Sequence, residues 1–504
     1  MKHIDLNPKL KIYTSLQLIK ISDIFSLLMK SFVVICIVAS LSLFSYSFFS
    51  NHSQWHVSCS DCDQQTINIR SADFSQRSRT SDSSIDQQTN LTHILFGIGG
   101  SAKTWNTRRH YCEVWWKPNI TRGFVWLDDT PEGTKKWPDT SPPYRISEDT
   151  SRFKYTSWYG SRSAIRIARI IKESYDLRLQ NVRWFILGDD DTVFFVENLL
   201  TVLRKYDHNQ MYYIGGNSES VEQNLIHSYS MAYGGGGFAI SYPLATELVR
   251  VLDGCIDRYA SLYGSDQKIQ ACIGEIGIPV TRELGFHQVD LRGDIYGFLA
   301  AHPVAPLVSL HHLDYLQPIF PGLTRVGSVK KLVQAYNADP GRTLQHSFCY
   351  DLQRNWSVSV SWGYTVQLYP KLISSKTLET AFRTFVSWRS WSNEPFTFNT
   401  RIMSSDPCEV PVIYFMDRVQ VINETGLTFT GYAQAAKQGV LCESTDYSVA
   451  MSIQAVNVSA HKLQPHTWKK APRRQCCEIV DGEDEEELQV RVRDCQEWES
   501  VTPP

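Results

Sequence analysis

Three consecutive aspartates, Asp189–Asp191, are the residues of this sequence whose types and spacing point most directly to chemistry. They follow the apolar run Trp184–Leu187 and precede a second one, Val193–Phe195, and such short runs are typical of buried strands. Adjacent carboxylates repel one another and are costly to desolvate, and a divalent cation such as magnesium or manganese relieves both costs. We therefore expect a metal and nucleotide site at this strand end, with a solvated acidic turn as the alternative.

A run of four glycines, Gly234–Gly237, is the second feature with chemical meaning. It precedes the apolar stretch Phe238–Ser241, and glycines there would let the backbone approach a ligand closely. The run is not a P-loop, because no lysine follows it where one would hold a phosphate. A flexible turn is the alternative interpretation.

Strands that alternate with helices must position these residues, and this order favours an α/β sheet. Strands are expected over 93–100, 123–127, 183–188, 212–216 and 238–241, and helices over 105–116, 161–175, 198–206, 243–252 and 268–273. Thr104 and Ser161 are candidate helix caps. Beyond Pro321 the pattern becomes strand-like, with alternation over 356–369 and a β-like run over 410–415. We expect a separate β-rich accessory region there.

Residues 31–49 are uncharged and mostly apolar, and their length suits one membrane span. Five lysines precede this segment and no Lys or Arg follows it before Arg70. The positive-inside rule therefore places residues 1–30 in the cytosol and the remainder across the membrane, and a cleaved signal peptide is the alternative. Residues 50–90 are rich in polar residues and are expected to form a flexible stem.

The twelve cysteines indicate an oxidising compartment, because all but Cys36 lie beyond the apolar segment and are scattered rather than paired as metal ligands. They are candidates for disulfides. N-glycosylation sequons lie on the same side, at Asn51, Asn90, Asn119, Asn355, Asn423 and Asn457. The net charge of −2 gives no indication of a nucleic-acid partner.

The motifs taken in order resemble the Fringe-type β1,3-glycosyltransferases of glycosyltransferase family 31. They are Arg183-Trp184-Phe185, Asp189–Asp191, Tyr213-Ile214-Gly215, the glycines before Phe238, and Gly264-Ser265-Asp266, within roughly residues 91–320. His311–Asp314 and Pro318–Pro321 are similar to the plant Fringe-related subgroup, which carries a C-terminal domain of unknown function. The resemblance implies a GT-A fold, which is Rossmann-like and binds nucleotide sugars. It also implies inverting transfer from a UDP-sugar, helped by manganese or another divalent cation.

The resemblance implies roles for the aspartates. Asp190 and Asp191 fall on the family's D-x-D metal and donor motif, with Asp189 beside them. Asp189 and Asp191 are the expected metal ligands, with Asp191 as the first choice, and Asp189 and Asp190 are expected to bind the donor. Asp266 matches the catalytic base, with a helix cap as the alternative. Asp128 and Asp129 would contact the uridine or ribose, or form an ordinary turn at a strand end.

Glycines and histidines are implied as well. Gly235 and Gly236 fall at the donor site. His287 falls near the family's metal-binding histidine, and His302, His311 and His312 compete with it for that role. An inverting displacement needs a base for the acceptor hydroxyl, and a cation that neutralises the leaving diphosphate.

The sequence thus predicts a Golgi type II membrane protein with one N-terminal transmembrane helix. Its expected parts are a cytoplasmic tail (1–30), a signal anchor (31–49), a stem (50–90), a GT-A catalytic domain (91–322) and a β-rich accessory region (323–504). It would transfer a hexose or N-acetylhexosamine in β1,3 linkage to a glycan or glycoprotein. The alternatives are a catalytically silent glycan-binding or scaffold protein, and a metal-dependent phosphate-ester hydrolase. The hydrolase would ordinarily need more than one metal-ligand cluster.

Overall fold

A computed structural model describes residues 26, 28–42, 88–131, 137–388, 395–422, 424–436, 442–480, 482 and 484–502. Residues 28–42 form a helix, α1. Most of the expected cytoplasmic tail, residues 43–49 of the expected span, most of the expected stem and the sequons at Asn51 and Asn423 lie outside the described residues. No helix within the described ranges is both long enough and apolar enough to cross a membrane.

The N-terminal half of the compact unit Ser83–Pro504 alternates strands with helices. Its strands are β1 (Ile94–Gly99), β2 (Gly123–Leu127), β3 (Tyr144–Ile146), β4 (Trp184–Asp189), β5 (Val193–Phe194), β6 (Tyr213–Gly215), β7 (Phe238–Ser241), β8 (Val280–Arg282), β9 (Leu291–Gly293) and β10 (Ser309–Leu310). Its helices are α2 (Trp105–Trp115), α3 (Ser163–Asp176), α4 (Val196–Leu203), α5 (Val221–Ile226), α6 (Tyr242–Arg258), α7 (Ser265–Ile276), α8 (Tyr296–Ala300) and α9 (Arg325–Ala338). The expected α/β order is confirmed.

Seven strands form one mixed sheet in the order β3-β2-β1-β4-β7-β6-β8, so β4 occupies the centre. Strand β7 runs antiparallel to both neighbours, whereas β1 is parallel to β2 and to β4. The carboxyl ends of β1, β2 and β4 therefore share one edge. That edge carries the glycine turn after β1, the aspartates after β2 and the three consecutive aspartates of β4.

Alternation along the strands divides the core into two clusters, because successive side chains of a strand point to opposite faces. Ile94, Phe96, Trp184 and Ile186 belong to one cluster. Leu95, Phe185 and Leu187 belong to the other, together with apolar residues of α3, α6 and α7. Helices thus cover a sheet whose central strands are buried on both faces, as the apolar runs in the sequence predicted.

The C-terminal region contains a closed eight-stranded barrel in the order β11-β12-β13-β17-β18-β19-β21-β20. The strands of this region are β11 (His346–Asp351), β12 (Trp356–Ser361), β13 (Thr365–Tyr369), β14 (Ala381–Phe382), β15 (Phe385–Ser387), β16 (Thr400–Arg401), β17 (Val412–Ile422), β18 (Leu427–Gln434), β19 (Ala455–His461), β20 (Cys476–Val480) and β21 (Glu487–Arg493). Two helices accompany them, α10 (Ser375–Leu378) and α11 (Thr445–Ser452). The expectation of a β-rich region is confirmed, and the boundary at residue 322 remains a prediction.

The alternating segment 356–369 is a hairpin rather than one strand. Strands β12 and β13 pair antiparallel, and Gly363 turns the chain between them with φ of 77°. Positive φ is accessible to glycine without a Cβ penalty, so the break falls where the sequence permits it. Alternation alone did not reveal the turn, because Trp362 and Tyr364 on either side are apolar.

Four disulfides within the described residues confirm that eight of the candidate cysteines are paired; Cys59 and Cys62 lie outside the described residues. The disulfides join Cys255 to Cys272, Cys349 to Cys477, Cys408 to Cys442, and Cys476 to Cys495. Cys112, one of the candidates, is a buried free thiol in α2. The first disulfide ties α6 to α7, the helix that carries Asp266.

Of the two residues expected to cap helices, Thr104 occupies an N-cap position and Ser161 does not. Thr104 occupies the N-cap position of α2, but its side chain makes no capping hydrogen bond. Helix α3 begins two residues later than expected, at Ser163, and its N-cap residue is Arg162. The Ser161 hydroxyl accepts a hydrogen bond from the Ser163 N–H at 3.3 Å, which braces the turn before the helix.

Candidate active site

Thr192 holds the turn that Asp189–Asp191 form at the end of β4, which we call the aspartate turn. The Thr192 hydroxyl accepts a hydrogen bond from the Asp189 N–H at 2.8 Å and donates one to the Gly235 carbonyl at 2.7 Å. The side chains of Asp190 and Asp191 are 4% and 1% exposed, whereas that of Asp189 is 34% exposed. The turn therefore presents one accessible carboxylate in front of two buried ones, and one hydroxyl ties it to the glycine run.

His311 is the histidine that the structure places beside these carboxylates. Strand β10 pairs antiparallel with β5, with Leu310 opposite Val193. His311 follows this pair on one strand and Thr192 precedes it on the other, so the histidine reaches the aspartate turn. Its Nε2 lies 3.2 Å from Asp191 Oδ1 and 3.7 Å from Asp189 Oδ2.

The second ring nitrogen of His311 fixes the tautomer that the ring adopts when it is neutral. Nδ1 lies 3.1 Å from the carbonyl of Gln288, and a carbonyl can only accept, so Nδ1 carries a proton. In the neutral ring the lone pair on Nε2 then faces the carboxylates. A ring N–H held by a carbonyl while the other nitrogen stays free is the usual arrangement of a metal-binding histidine.

The charges of this group are strongly coupled. Burial alone would lower the pKa of His311, but the charges of Asp191 and Asp189 raise it to about 9. Burial would raise the pKa of Asp191, yet His311 and the Arg108 guanidinium hold it well below its usual range. Burial and the charge of Asp191 raise the pKa of Asp190 to about 7 and that of Asp189 to about 6, although His311 opposes the rise at Asp189. Asp191 is therefore the carboxylate that stays ionised.

One metal-sized group of ligands follows from this geometry. One ligand atom each of Asp189, Asp191 and His311 lies within 4.8 Å of the other two. Both Asp191 carboxylate oxygens are buried without a well-directed hydrogen bond, although cationic groups lie 3.2 Å and 3.6 Å from Oδ1. Buried charged oxygens need a partner, so this donor set fits a hard divalent cation. A second group, Cys476, Cys495 and Glu499, offers no thiolates because its cysteines form a disulfide.

The glycine run makes room for His311. A Cβ on Gly235 would lie 2.1 Å from His311 Cε1, inside the contact distance of any real pair. The Gly236 N–H donates to Gln288 Oε1 at 2.6 Å, and its carbonyl accepts from the Ser309 hydroxyl. These glycines were expected at the donor; the structure shows them supporting the histidine.

Gly235→Ala should therefore weaken divalent-cation binding by at least about tenfold, because the new methyl displaces His311, and partners that orient a metal ligand typically contribute 10–100-fold. Manganese titration of the purified protein would measure the loss. Gly277→Ala is a suitable control, since a Cβ there meets nothing within 4 Å although its φ of 89° strains the variant. Equal manganese affinity in the Gly235→Ala variant and the unaltered protein would contradict this account of the glycine.

Asp266 lies in the same small cavity as Asp189. The cavity, of about 20 Å³, is also lined by Gly234 and Phe238. The N–H groups of Gly234 and Gln267 donate to the two carboxylate oxygens of Asp266 at 3.1 Å and 2.8 Å. Gly264 is the N-cap residue of α7, so Asp266 sits inside the first turn of that helix rather than at its cap. Burial raises the pKa of Asp266 while these N–H groups oppose the rise.

The structure does not bring His287 into this cluster. Its Nε2 lies 2.9 Å from His302 Nε2, and its Nδ1 lies 3.2 Å from Glu219 Oε1. Burial lowers the pKa of His287 to about 3, so the ring is neutral. His312 lies beside Asp290, at 3.3 Å between Nδ1 and Oδ1, and stacks on Trp388. Of the four competing histidines, His311 has the geometry of a ligand.

The two aspartates after β2 have different surroundings. Asp128 accepts hydrogen bonds from the Ala102 N–H at 2.8 Å and the Ser101 hydroxyl at 3.0 Å, which fixes the turn after β1. Asp129 accepts only from the adjacent Thr130 N–H at 2.6 Å, among the bonds of the described residues. Both are exposed at the edge shared with Asp189, and Asp128 in addition braces the turn after β1.

Two arginines near the aspartates, Arg108 and Arg166, were not identified from the sequence. Arg108, on α2, lies 3.1 Å from Asp190 and 3.6 Å from Asp191. Arg166, on α3, is buried and donates to the carbonyls of Trp126 and Gly100. Arg166 stands between Ile165 and Ile167 in the apolar part of a helix, and this position could have indicated from the sequence that the arginine is buried. Arg108 and Arg109 are adjacent in the sequence, and only the orientation of α2 determines that Arg108 is the one that contacts the aspartates.

Comparisons with known proteins agree with parts of this picture. Residues 147–292 match a family model described as Fringe-like. This match supports the resemblance to Fringe-like glycosyltransferases, whereas the assignments to family 31 and to the plant subgroup remain predictions. No curated protein matches. One matching solved structure is described as a glycosyltransferase involved in the glycosylation of the major capsid of PBCV-1. It is 13% identical and covers 47% of this chain and 96% of its own, but a TM-score of 0.26 does not establish a common fold.

The second family model spans the junction between the sheet and the barrel. It matches residues 223–477, just over half of the 504 residues of the chain. The matched part contains Asp266 and His311 as well as most of the barrel strands. The chain therefore belongs to the family described as protein of unknown function, DUF604.

Proposed function

We propose that this protein is an inverting glycosyltransferase of GT-A fold that uses a UDP-sugar as donor. It would transfer a hexose or N-acetylhexosamine to a glycan or glycoprotein, in the β1,3 linkage that the resemblance to family 31 implies. The observation that carries the proposal is the cluster of Asp189, Asp191 and His311 at the end of the central strand, with Asp266 in the same cavity. The Fringe-like match over 147–292 supports the reaction class.

Asp189, Asp191 and His311 would hold the divalent cation, manganese being the first choice. Bound there, a cation would neutralise the charge that gathers on the departing diphosphate. Asp191 contributes a carboxylate that stays ionised, and His311 contributes a lone pair whose direction the Gln288 carbonyl sets. Asp190 keeps the Arg108 guanidinium next to this group. Arg108, with its side chain 28% exposed, is available to an anionic donor.

Asp266 is the proposed base. Each of its carboxylate oxygens accepts one N–H and keeps a further lone pair, so the carboxylate can take the proton of an acceptor hydroxyl. The raised pKa makes Asp266 a stronger base than an ordinary aspartate. The two backbone donors fix its orientation, which a base needs if it is to meet the attacking hydroxyl in one geometry.

We also propose that the chain works in the Golgi, held as a type II membrane protein by residues 31–49. The four disulfides support an oxidising compartment, and the lysines before the apolar segment support the orientation. The C-terminus should then resist protease in intact vesicles and be digested once detergent is added. Digestion in intact vesicles would refute the orientation.

The reaction is tested by measuring UDP release from a panel of UDP-sugars by the full-length protein. Manganese should support release from one donor, and both EDTA and Asp191→Ala should abolish it. UDP binding without release from any donor, across a broad panel of acceptors, would favour the catalytically silent glycan-binding protein. Absence of UDP binding would refute the nucleotide-sugar assignment.

A further inference from the structure

Five aromatic side chains form a continuous row that we call the aromatic ladder: Trp158, Tyr159, Tyr263, His227 and Tyr233. Successive ring centroids lie 5.1 Å, 5.1 Å, 5.4 Å and 6.4 Å apart. The Tyr159 and Tyr263 rings are stacked, and so are those of Tyr263 and His227. The residues come from three separate parts of the sequence, so tertiary packing assembles the ladder.

The outer end of the ladder is exposed. Trp158 is 91% exposed and Tyr159 is 55% exposed. A single exposed apolar residue is normal on a protein surface, but this indole is the end of an ordered row of rings. Gly160 allows the close packing below it, because a Cβ there would lie 2.0 Å from Tyr155 Oη and 3.0 Å from Tyr263 Cδ2. The Tyr155 hydroxyl in turn donates to the Tyr263 carbonyl at 2.9 Å.

The inner end of the ladder adjoins the two backbone segments that carry and bind the proposed base. Tyr263 directly precedes Gly264 and the first turn of α7, which carries Asp266. Tyr233 directly precedes Gly234, whose N–H donates to Asp266 Oδ2. The Tyr233 side chain is buried, 4% exposed, and its hydroxyl has no hydrogen-bond partner within the described residues. The charges of Asp290 and Asp266 act on this hydroxyl and, with burial, raise its pKa.

An unpartnered buried hydroxyl costs free energy unless a ligand satisfies it. Aromatic faces carry a negative quadrupole and attract the apolar C–H faces of pyranose rings, while tyrosine hydroxyls and histidine nitrogens can meet the sugar hydroxyls at the edges. The ladder therefore has both parts of a saccharide site, a stacking surface outside and a free polar group inside. It ends where an acceptor hydroxyl must arrive for Asp266 to take its proton.

We propose that the aromatic ladder binds the acceptor as an oligosaccharide, with Trp158 stacking on a sugar unit distant from the reacting one and the Tyr233 hydroxyl bonding a unit near it. This inference rests on the proposed function and names its acceptor class: a chain of pyranose units rather than a single sugar or a bare polypeptide. Trp158 and Tyr233 are positioning residues, because neither takes part in the proton transfer.

The test compares acceptors of different length with one donor. The probes are mono-, di- and tetrasaccharides of galactose, glucose and N-acetylglucosamine, offered to the full-length protein. Trp158→Ala should raise the acceptor KM for the best tetrasaccharide about tenfold and leave the monosaccharide KM unchanged, because one well-packed aromatic contact is worth about a factor of ten. Manganese-dependent UDP release without acceptor should not change.

Trp498→Ala is the matched control, since Trp498 is 94% exposed and outside the ladder. It should leave every KM unchanged. Tyr233→Phe removes only the unpartnered hydroxyl, and it should raise acceptor KM without changing donor KM. An unaltered tetrasaccharide KM in the Trp158→Ala variant, or an equal rise in the Trp498→Ala variant, would overturn the ladder as acceptor site.

A binding measurement separates this inference from the proposed function. Saturation-transfer NMR detects the tetrasaccharides on the protein without any turnover. If the unaltered protein fails to release or bind UDP but binds a tetrasaccharide, and Trp158→Ala abolishes that binding, then the transferase proposal fails and the ladder stands as a saccharide site. If UDP release is normal and neither acceptor KM nor binding responds to Trp158→Ala, the ladder proposal alone fails.

Discussion

Asp191→Asn should lower the rate of sugar transfer by at least about 100-fold, because residues that only orient a metal ligand already contribute 10–100-fold and Asp191 is a proposed ligand itself. The substitution keeps the shape of the side chain and removes the charge that His311 and Arg108 face. The pKa of His311 should then fall, because the charge of Asp191 is the largest of those that raise it. Manganese binding, followed by electron paramagnetic resonance, and the transfer rate measure the effect.

Asp149→Asn is a control for the loss of a carboxylate, since Asp149 is exposed and its hydrogen bonds within the described part of the chain go to Ser151 in its own turn. It should bind manganese as the unaltered protein does. The position of the thermal unfolding transition of both variants shows whether the fold is intact. A folded Asp191→Asn variant that binds manganese and transfers sugar at the normal rate would refute the proposed metal site.

Asp266→Asn should lower kcat by about 10²–10⁴-fold, the usual contribution of a positioned base. Donor affinity should change little, because Asp266 is not part of the proposed metal cluster. The pH profile gives a second readout. Since the pKa of Asp266 is raised, activity of the unaltered enzyme should fall as pH drops through a value above that of an ordinary aspartate. The variant should lose that acid limb.

Asp266→Glu separates the base from a structural role. It keeps the charge but moves the carboxylate by one methylene, so it should recover part of the activity and restore the acid limb. A structural residue would respond equally to both substitutions, because either one disturbs the bonds from Gly234 and Gln267. Equal loss of kcat in the two variants, with no change of the pH profile, would refute Asp266 as the base.

The sheet and the carboxylate cluster could be predicted because their signals are local. Successive residues of β1, such as Ile94 and Leu95, pack into two different core clusters. A strand that is buried on both faces therefore appears in the sequence as a continuous apolar run. Asp189–Asp191 lie at the carboxyl end of the neighbouring strand β4, and the end of a strand in an α/β sheet is where ligands commonly bind. Helix α7 was predicted at 268–273 for the same reason, since a few consecutive residues set it, and the structure begins it earlier, at Ser265, so that it includes Asp266.

The histidine could not be predicted in the same way. His311 meets Asp191 through the pairing of β10 with β5, which joins segments more than a hundred residues apart. Four histidines, His287, His302, His311 and His312, compete for the role of metal ligand, and only the strand register places His311 beside Asp191. The same reason applies to Arg108, whose contacts depend on the orientation of α2. It also applies to the barrel, whose closure depends on the pairing of β11 with β20, which lie more than a hundred residues apart.

The β5–β10 pairing also limits how far the chain can be shortened. The Fringe-like match ends at residue 292, before β10, so a fragment that ends there would keep all three aspartates and Asp266 but lack His311. Strand β9 would in addition lose its partner β15, which lies at Phe385–Ser387. The Fringe-like segment alone would therefore not hold the whole proposed site, because His311 lies in the part of the chain matched only by the second family model, at 223–477.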